Sequence, residues 1–206
     1  MEYSVSLRTE KDRNKFIKRI ESLIRSSKEY KDYIRFLKEH MDLNSCVFFQ
    51  AVSPEENKRF RVELHHEPFT LYDYVSVVLD KFIDEGLPLN DLLIADEVME
   101  LHYNNQVGLV PLSKTIHRLV HESVKVMVPL NMVYGNYDEF LEKYKKYIPD
   151  YLYDKLEDKL RKTSQLTPES FDALTQEFRY VEVEGVGTPE KLLTHEEQMM
   201  QDNPAV

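Results

Sequence analysis

Two groups of histidines are the residues of this chain best suited to chemistry. His117 and His121 stand four residues apart, so on a helix both imidazoles project from one face and can hold one ion. His65 and His66 are adjacent at the end of a strand-like run, so their side chains point to opposite sides. One of the pair can complete a metal site while the other handles a proton. The two groups together have the spacing that metal-dependent hydrolysis requires.

Each histidine also has a purely structural interpretation. His117 and His121 flank Leu119 and Val120, so both can simply lie at the edge of an amphipathic helix. His66 can be a hydrogen-bonded histidine without a catalytic role. The presence of both groups in one chain is the observation that favours a site.

The segments around these histidines resemble a known family of nucleases. Three motifs carry the resemblance: Glu63-Leu64-His65-His66, then Leu109-Val110-Pro111-Leu112, then His-x-x-x-His. In this order they are similar to the motifs of the HNH nucleases, which have a ββα-metal core. The resemblance is greatest to the nuclease bacteriocin branch of that family. The resemblance covers residues 59–68 and 107–123. The family's central Asn falls on Gly108, and the 42 positions from His66 to Gly108 exceed the length of the compact motif.

The resemblance implies a metal-dependent endonuclease that hydrolyses DNA phosphodiester bonds. His65, His117 and His121 match the metal ligands, and His66 matches the general base that deprotonates the attacking water. Three imidazoles favour Zn, Ni or Mn over Mg, although the enzyme can use whichever divalent ion is available.

Three further residues receive roles around this site. Glu63 matches the acidic residue two positions before the histidine pair, where it would orient a ligand imidazole or a basic phosphate contact. Arg59 and Arg61 are expected to contact nucleic-acid phosphate from the same hairpin; as a structural alternative they are solvent-facing strand residues.

The net charge of −10 is the main objection to a nuclease, because binding to phosphates normally needs a basic surface. The charge is unevenly distributed along the chain. Residues 1–40 carry eleven Lys/Arg against seven Asp/Glu, whereas residues 163–206 carry two against nine. A basic N-terminal face can therefore still meet DNA, and the acidic tail or the helical insertion can bind a protein partner.

Composition also narrows the setting in which the protein works. The single Cys46 excludes an internal disulfide framework and is consistent with a reducing compartment. No apolar run approaches the roughly 20 residues of a membrane helix, and the N-terminus lacks the pattern of a signal peptide. We expect a cytoplasmic protein, in the host cytoplasm if a phage encodes it, as its Lys/Asp/Tyr-rich style suggests.

Periodicity and capping residues predict an α+β, mostly helical fold. Residues 1–45 form an N-terminal helical region with helices at 9–26 and 28–40. Residues 46–130 form an HNH-like ββα core, with a hairpin at 46–66, a helical insertion at 69–104, a strand at 107–112 and a helix at 114–123. Residues 131–184 are a C-terminal helical region, and residues 185–206 are a flexible acidic tail. The remaining predicted elements are a return strand at 124–129, helices at 136–147, 149–162 and 168–179, and a short strand at 180–184.

Two other functions remain open beside the endonuclease. A degenerate HNH-like module would keep at most a structural metal and act in protein interaction or regulation; Gly108 and the acidic charge favour this alternative. An acidic inhibitor that mimics nucleic acid is the third, and the positive balance of residues 1–40 argues against it.

Overall fold

The computed structural model of the chain describes Leu7 and residues 9–48, 61–122 and 126–164. Within these ranges the protein is α+β and mostly helical, with seven α-helices and one antiparallel sheet of two strands. The elements in chain order are α1 (Glu10–Ser26), α2 (Lys28–His40), β1 (Val62–His66), α3 (Leu71–Asp84), α4 (Asp91–Tyr103), β2 (Leu109–Ser113), α5 (Lys114–Glu122), α6 (Tyr137–Lys143) and α7 (Asp150–Thr163).

The two N-terminal helices begin where their capping residues predict. The Thr9 hydroxyl accepts a hydrogen bond from the Asp12 amide at the start of α1, and Ser27 caps α2 in the same way through the Tyr30 amide. On α1 the apolar residues Ile17, Ile20 and others at helical spacing are fully buried. The helices at 9–26 and 28–40 are confirmed.

The helical insertion is part of the main hydrophobic core. Helices α3 and α4 pack against each other and against α1. Gly86, at φ +66°, ends the turn after α3, and Asn90 caps α4 through the Leu92 amide. One cluster of buried side chains draws on α1, α2, α3, α4, α6, α7 and both strands. The insertion therefore builds the scaffold on which the two strands rest.

Strands β1 and β2 lie side by side and lead directly into α5. They pair antiparallel, with His65 opposite Val110 and His66 opposite Leu109. The Ser113 hydroxyl accepts a hydrogen bond from the Ile116 amide, so the end of β2 also caps α5. Helix α5 contacts both strands. The result is a strand–strand–helix unit whose strands are separated in sequence by α3 and α4.

The C-terminal helices differ in length from the prediction. The helix expected over 136–147 ends at Lys143 and continues as turns, whereas α7 closely follows the predicted 149–162. The segment 126–129 is not a strand, although Tyr134 forms an isolated bridge with Leu109. Tyr134 therefore pairs with β2 at Leu109 through two backbone hydrogen bonds.

Several predicted elements lie outside the described residues. These are most of the hairpin at 46–66, the helix at 168–179, the strand at 180–184 and the tail at 185–206. The described part of the first hairpin arm, 46–48, is not a strand, and the Val47 amide donates to the Pro111 carbonyl of β2. Among the described helices, none combines the length and the apolar character that crossing a lipid bilayer requires.

The start of α3 offers a test of local stability. Thr70 and Asp73 form a reciprocal capping box in which each side chain accepts from the other residue's amide, at 3.2 and 2.8 Å. We expect Thr70→Ala to lower the free energy of unfolding by about 1 kcal/mol in chemical denaturation. Thr115→Ala, which removes an exposed hydroxyl from α5, is the control. Equal effects of the two substitutions would contradict the capping role.

Candidate metal centre

Strand alternation and helix spacing bring three of the predicted ligands together. His65 leaves β1 on the side that α5 covers, and His117 and His121 lie one turn apart on α5. Each imidazole offers one ring nitrogen, and these three atoms lie within 4.8 Å of one another. The ring centroids are separated by 4.8 to 5.0 Å. His65, His117 and His121 thus form one group, called the three-histidine cluster below.

The distances in the cluster suit a divalent cation that accepts nitrogen ligands. The Nε2 atoms of His117 and His121 lie 3.1 Å apart. A tetrahedral zinc ion with Zn–N bonds of about 2.0–2.1 Å separates its ligand nitrogens by roughly 3.3 Å. Small side-chain rotations of His65 would close the widest gap. The donor set therefore fits the zinc-like ion that the sequence predicts.

Glu63 orients one of the ligand rings. Its Oε2 lies 2.5 Å from Nδ1 of His117, and both side chains are partly exposed. A proton on Nδ1 that is donated to the carboxylate leaves Nε2 of His117 as the nitrogen that can bind a metal. Glu63 and His65 lie on the same face of β1 because they are two positions apart in a strand. The structure thus brings Glu63 to the cluster, in the orienting geometry that the resemblance implies.

A second carboxylate at the cluster was missed by sequence reasoning. Glu67 is almost fully buried, its Oε2 lies 3.4 Å from Nε2 of His65, and its other oxygen accepts from Lys159 of α7. The run His-His-Glu held a signal for Glu67, since a carboxylate two residues after a ligand lies close to it. Nothing in the sequence connects Lys159, more than ninety positions away, with this site.

The cluster is surrounded by both carboxylates and cations. Burial, followed by the charges of Lys159, Lys155 and Arg25, lowers the pKa of His65 to about 4. Burial, followed by His65, His117 and Arg25, also lowers the pKa of His121. Both shifts favour the neutral form of the ring, which is the form that binds metal. Lys159 and Lys155 are themselves paired with the carboxylates of Glu67 and Asp73.

His66 lies on the opposite side of β1 from the cluster. It is buried in the core, where its ring stacks on Tyr30 and its Nε2 lies 3.1 Å from Nε2 of His102. Nδ1 of His102 lies 2.7 Å from the Val98 carbonyl and must donate to it, so Nε2 of His102 accepts from His66. The structure therefore does not bring His66 to the three-histidine cluster. Its arrangement is that of a hydrogen-bonded core histidine, because alternation along the strand separates it from its neighbour.

Gly108 occupies its position because no side chain fits there. A Cβ atom at this residue would lie 1.9 Å from the Glu67 carbonyl oxygen and 2.9 Å from a methyl group of Val133. The Gly108 carbonyl accepts from the Glu67 amide, and its own amide donates to the Tyr74 hydroxyl. The family's central Asn is thus sterically excluded, and the close approach of the two backbones helps to fix Glu67.

Of the two predicted phosphate contacts, only Arg61 is described. It precedes β1, is exposed, and by alternation points to the same face as Glu63 and His65. Its Cα lies about 13 Å along the strand from that of His65. Arg59 lies outside the described residues.

The buried pair of His66 and His102 makes stability depend on pH. Burial, against the opposing hydrogen bond to Val98, lowers the pKa of His102 to about 4, whereas in the unfolded chain it titrates near 6.5. As the pH falls from 6.5 to 4, His102 becomes protonated in the unfolded state but stays neutral in the folded state, so the free energy of unfolding decreases.

We expect His102 to account for about 3 kcal/mol of this acid destabilisation. Unfolding free energies measured with EDTA from pH 7 to pH 4 should fall less steeply in His102→Gln than in the unsubstituted protein. Parallel profiles would contradict the assignment. His65, His66 and His121 also have lowered pKa values, so the difference between the profiles, rather than either slope, isolates His102.

Comparison with known proteins yields one family. Residues 1–200 match the bacteriophage G278-like virion protein family. No curated protein and no solved structure matches the chain. The match spans all the described elements together with the three-histidine cluster, and it accords with the expectation of a phage protein. The chain therefore belongs to the bacteriophage G278-like virion protein family.

Proposed function

We propose that the chain is a metal-binding virion protein that hydrolyses DNA phosphodiester bonds at the three-histidine cluster, as an HNH-type endonuclease. The observation that carries the proposal is the meeting of His65, His117 and His121 at the end of a strand–strand–helix unit, with Glu63 on His117. The order of these elements supports an HNH-like ββα core.

In this proposal the three histidines bind the metal ion and Glu63 orients one of them. His65, His117 and His121 hold a divalent ion, which would polarise a phosphoryl oxygen and lower the pKa of a bound water. Glu63 keeps His117 in the tautomer that binds through Nε2. Among the described residues, three protein ligands leave a position open for water or substrate, which is typical of catalytic rather than structural sites.

The general base is the part of the family scheme that needs reassignment. His66 is the residue that the resemblance assigns, but its ring is enclosed by Tyr30, Tyr74 and His102. Glu63 and Glu67 are the carboxylates that contact the ligand rings. We therefore propose that one of these two carboxylates accepts the proton of the attacking water.

A plasmid assay tests this function. Supercoiled plasmid is incubated with the protein and Mg, Mn, Ni or Zn, beside the variants His117→Ala, His66→Gln and the exposed α2 control His40→Ala. We expect metal-dependent nicking by the unsubstituted protein and by His40→Ala, and its loss in His117→Ala. Nicking retained by folded His66→Gln supports the carboxylate base, and its loss returns the role to His66. Absence of cleavage with every ion, despite bound metal, contradicts the nuclease.

A non-catalytic module is the second candidate, and two observations favour it. His66 lies in the core, and Gly108 excludes the family's Asn. In this alternative the metal joins β1 to α5 as a structural element, and the protein contributes to the phage particle by binding protein partners. Stoichiometric metal that stabilises the fold without any cleavage is the result that distinguishes this candidate.

A further inference from the structure

We propose that the exposed face of α1 binds the phosphate backbone of duplex DNA through Lys11, Lys15, Lys18 and Arg25, called the basic stripe below. This binding needs no metal ion, so the inference goes beyond the proposed hydrolysis. It also narrows the basic N-terminal face expected from the sequence to four residues of α1, which are separate from Arg59 and Arg61.

The stripe follows from the spacing of its residues on a helix. Successive steps of four, three and seven residues keep the four side chains within about 80° of the helix circumference. All four residues are exposed, and the buried Phe16 and Ile20 face the other way. From its first to its last residue the stripe is about 21 Å long. Such a row can follow several consecutive phosphates.

The charges of the stripe are not neutralised within the described part of the protein. Lys11, Lys15 and Lys18 form no ion pair or hydrogen bond there, and Arg25 has only a 3.9 Å contact with Glu21. By contrast, the two arginines of α1 that lie off the stripe form ion pairs, Arg13 with Asp80 and Arg19 with Asp91.

The acidic residues of α1 also lie away from the stripe. Glu10, Asp12 and Glu21 are displaced from its centre by roughly 80–100° around the helix. A chain with a net charge of −10 thus keeps Lys11, Lys15 and Lys18 in a row, and Glu21 is the one carboxylate of α1 that contacts the stripe, at Arg25. Alternating charges would be expected of an ordinary solvated helix face.

A groove continues the stripe at the junction of α1 and α2. Its volume is about 530 Å³, and it is lined by Lys18, Glu21, Ser22, Arg25, Ser26 and Lys31. Ammonium, guanidinium and hydroxyl groups are the side-chain donors that proteins use on phosphate oxygens. The Lys31 ammonium donates to the Ser26 carbonyl at 2.7 Å, which holds it beside the groove. The shallow groove therefore places three cations and two serine hydroxyls beside one carboxylate, Glu21, which contacts Arg25.

The charge of Arg25, at the end of the stripe, contributes to the lowered pKa of His65 and of His121. A path of duplex DNA from the stripe to the cluster is part of the proposed function and rests on it. Binding to α1 itself does not depend on it.

Binding measured without metal tests the inference. A fluorescently labelled duplex is titrated in EDTA at several salt concentrations, with folding checked by circular dichroism. Lys11→Gln/Lys15→Gln/Lys18→Gln is compared with Lys143→Gln/Lys145→Gln/Lys146→Gln, which removes the same charge from the region of α6. We expect the stripe variant to bind at least tenfold more weakly at low salt. Its plot of log affinity against log salt should be shallower by about 3.

Three results overturn the proposal. The first is absence of duplex binding by the unsubstituted protein at low salt. The second is an equal loss in both triple variants, since net charge rather than the stripe would then account for binding. The third is normal duplex binding by the stripe variant. Duplex binding without nicking contradicts the hydrolysis proposal alone. If the stripe variant binds duplex normally and still nicks plasmid, only the basic-stripe proposal is contradicted.

Discussion

Replacing Gly108 with alanine is expected to lower the free energy of unfolding by at least about 3 kcal/mol, because a methyl group cannot be accommodated 1.9 Å from the Glu67 carbonyl oxygen. The clash is with backbone, so no change of side-chain rotamer relieves it. Separation of the two backbones would also shift Glu67 and the adjacent end of β1. Urea denaturation measures the stability loss, and zinc titration of the folded fraction should show weaker binding.

Gly86→Ala is the matched control for this substitution. Gly86 has φ +66° but no atom within 4 Å of the added Cβ, so only the left-handed backbone conformation opposes alanine, at about 1–2 kcal/mol. A loss at Gly108 no greater than that at Gly86 would contradict the steric explanation. Gly108→Asn should destabilise at least as strongly as Gly108→Ala, so the family's Asn cannot be restored.

Zinc is expected to raise the melting temperature strongly. A ligand that binds only the folded state at a thousand times its Kd stabilises by about 4 kcal/mol. For a chain of this length that corresponds to roughly 8–16 °C in Tm. The physical reason is that the ion joins His65 on β1 to His117 and His121 on α5, so unfolding must release it. Differential scanning fluorimetry with and without zinc measures the shift, which EDTA should reverse.

The controls separate the cluster from other histidines. His121 is exposed, so His121→Ala should leave the metal-free fold intact while abolishing most of the zinc shift. His40→Ala removes an exposed histidine far from the cluster in sequence and should keep the full shift. An equal shift in all three proteins would show that zinc binds elsewhere.

Much of the helical fold could be predicted from local signals. Thr9, Ser27, Thr70 and Asn90 each cap a helix in the structure, because a side-chain acceptor at the helix start satisfies a free amide, and such residues mark helix starts locally in the sequence. The helix predicted over 136–147 was too long. Tyr144 and Tyr147 continue the helical spacing of the sequence up to residue 147, but in the structure residues 144–147 form turns before Pro149. Period alone does not reveal where a helix ends.

Only part of the candidate site could be predicted in the same way. The i,i+4 spacing of His117 and His121 and the alternation at His65 are local rules, and the three rings meet as predicted. The environment of His66 depends on His102 and Tyr30, which belong to distant helices. A resemblance assigned His66 a role in the reaction, whereas tertiary packing decided where its ring lies. Lys159 on Glu67 illustrates the same limit.

The cation environment of the cluster connects the two proposals. Arg25, Lys155 and Lys159 all act on His65, although the chain as a whole is acidic. Lys155 and Lys159 are paired with Asp73 and Glu67, whereas Arg25 also belongs to the basic stripe and so links the cluster to the second proposal. The acidic residues of 163–206 account for much of the net charge in sequence terms. The net charge of −10 therefore does not describe the charge on the exposed face of α1.

X-ray absorption spectroscopy of the zinc-loaded protein reads the ligands of the ion at the three-histidine cluster. We expect three imidazole nitrogens and one water oxygen at about 2.0–2.1 Å from the ion, with one nitrogen lost in His117→Ala. A spectrum without imidazole scattering, or one that His117→Ala leaves unchanged, would contradict a metal centre formed by His65, His117 and His121.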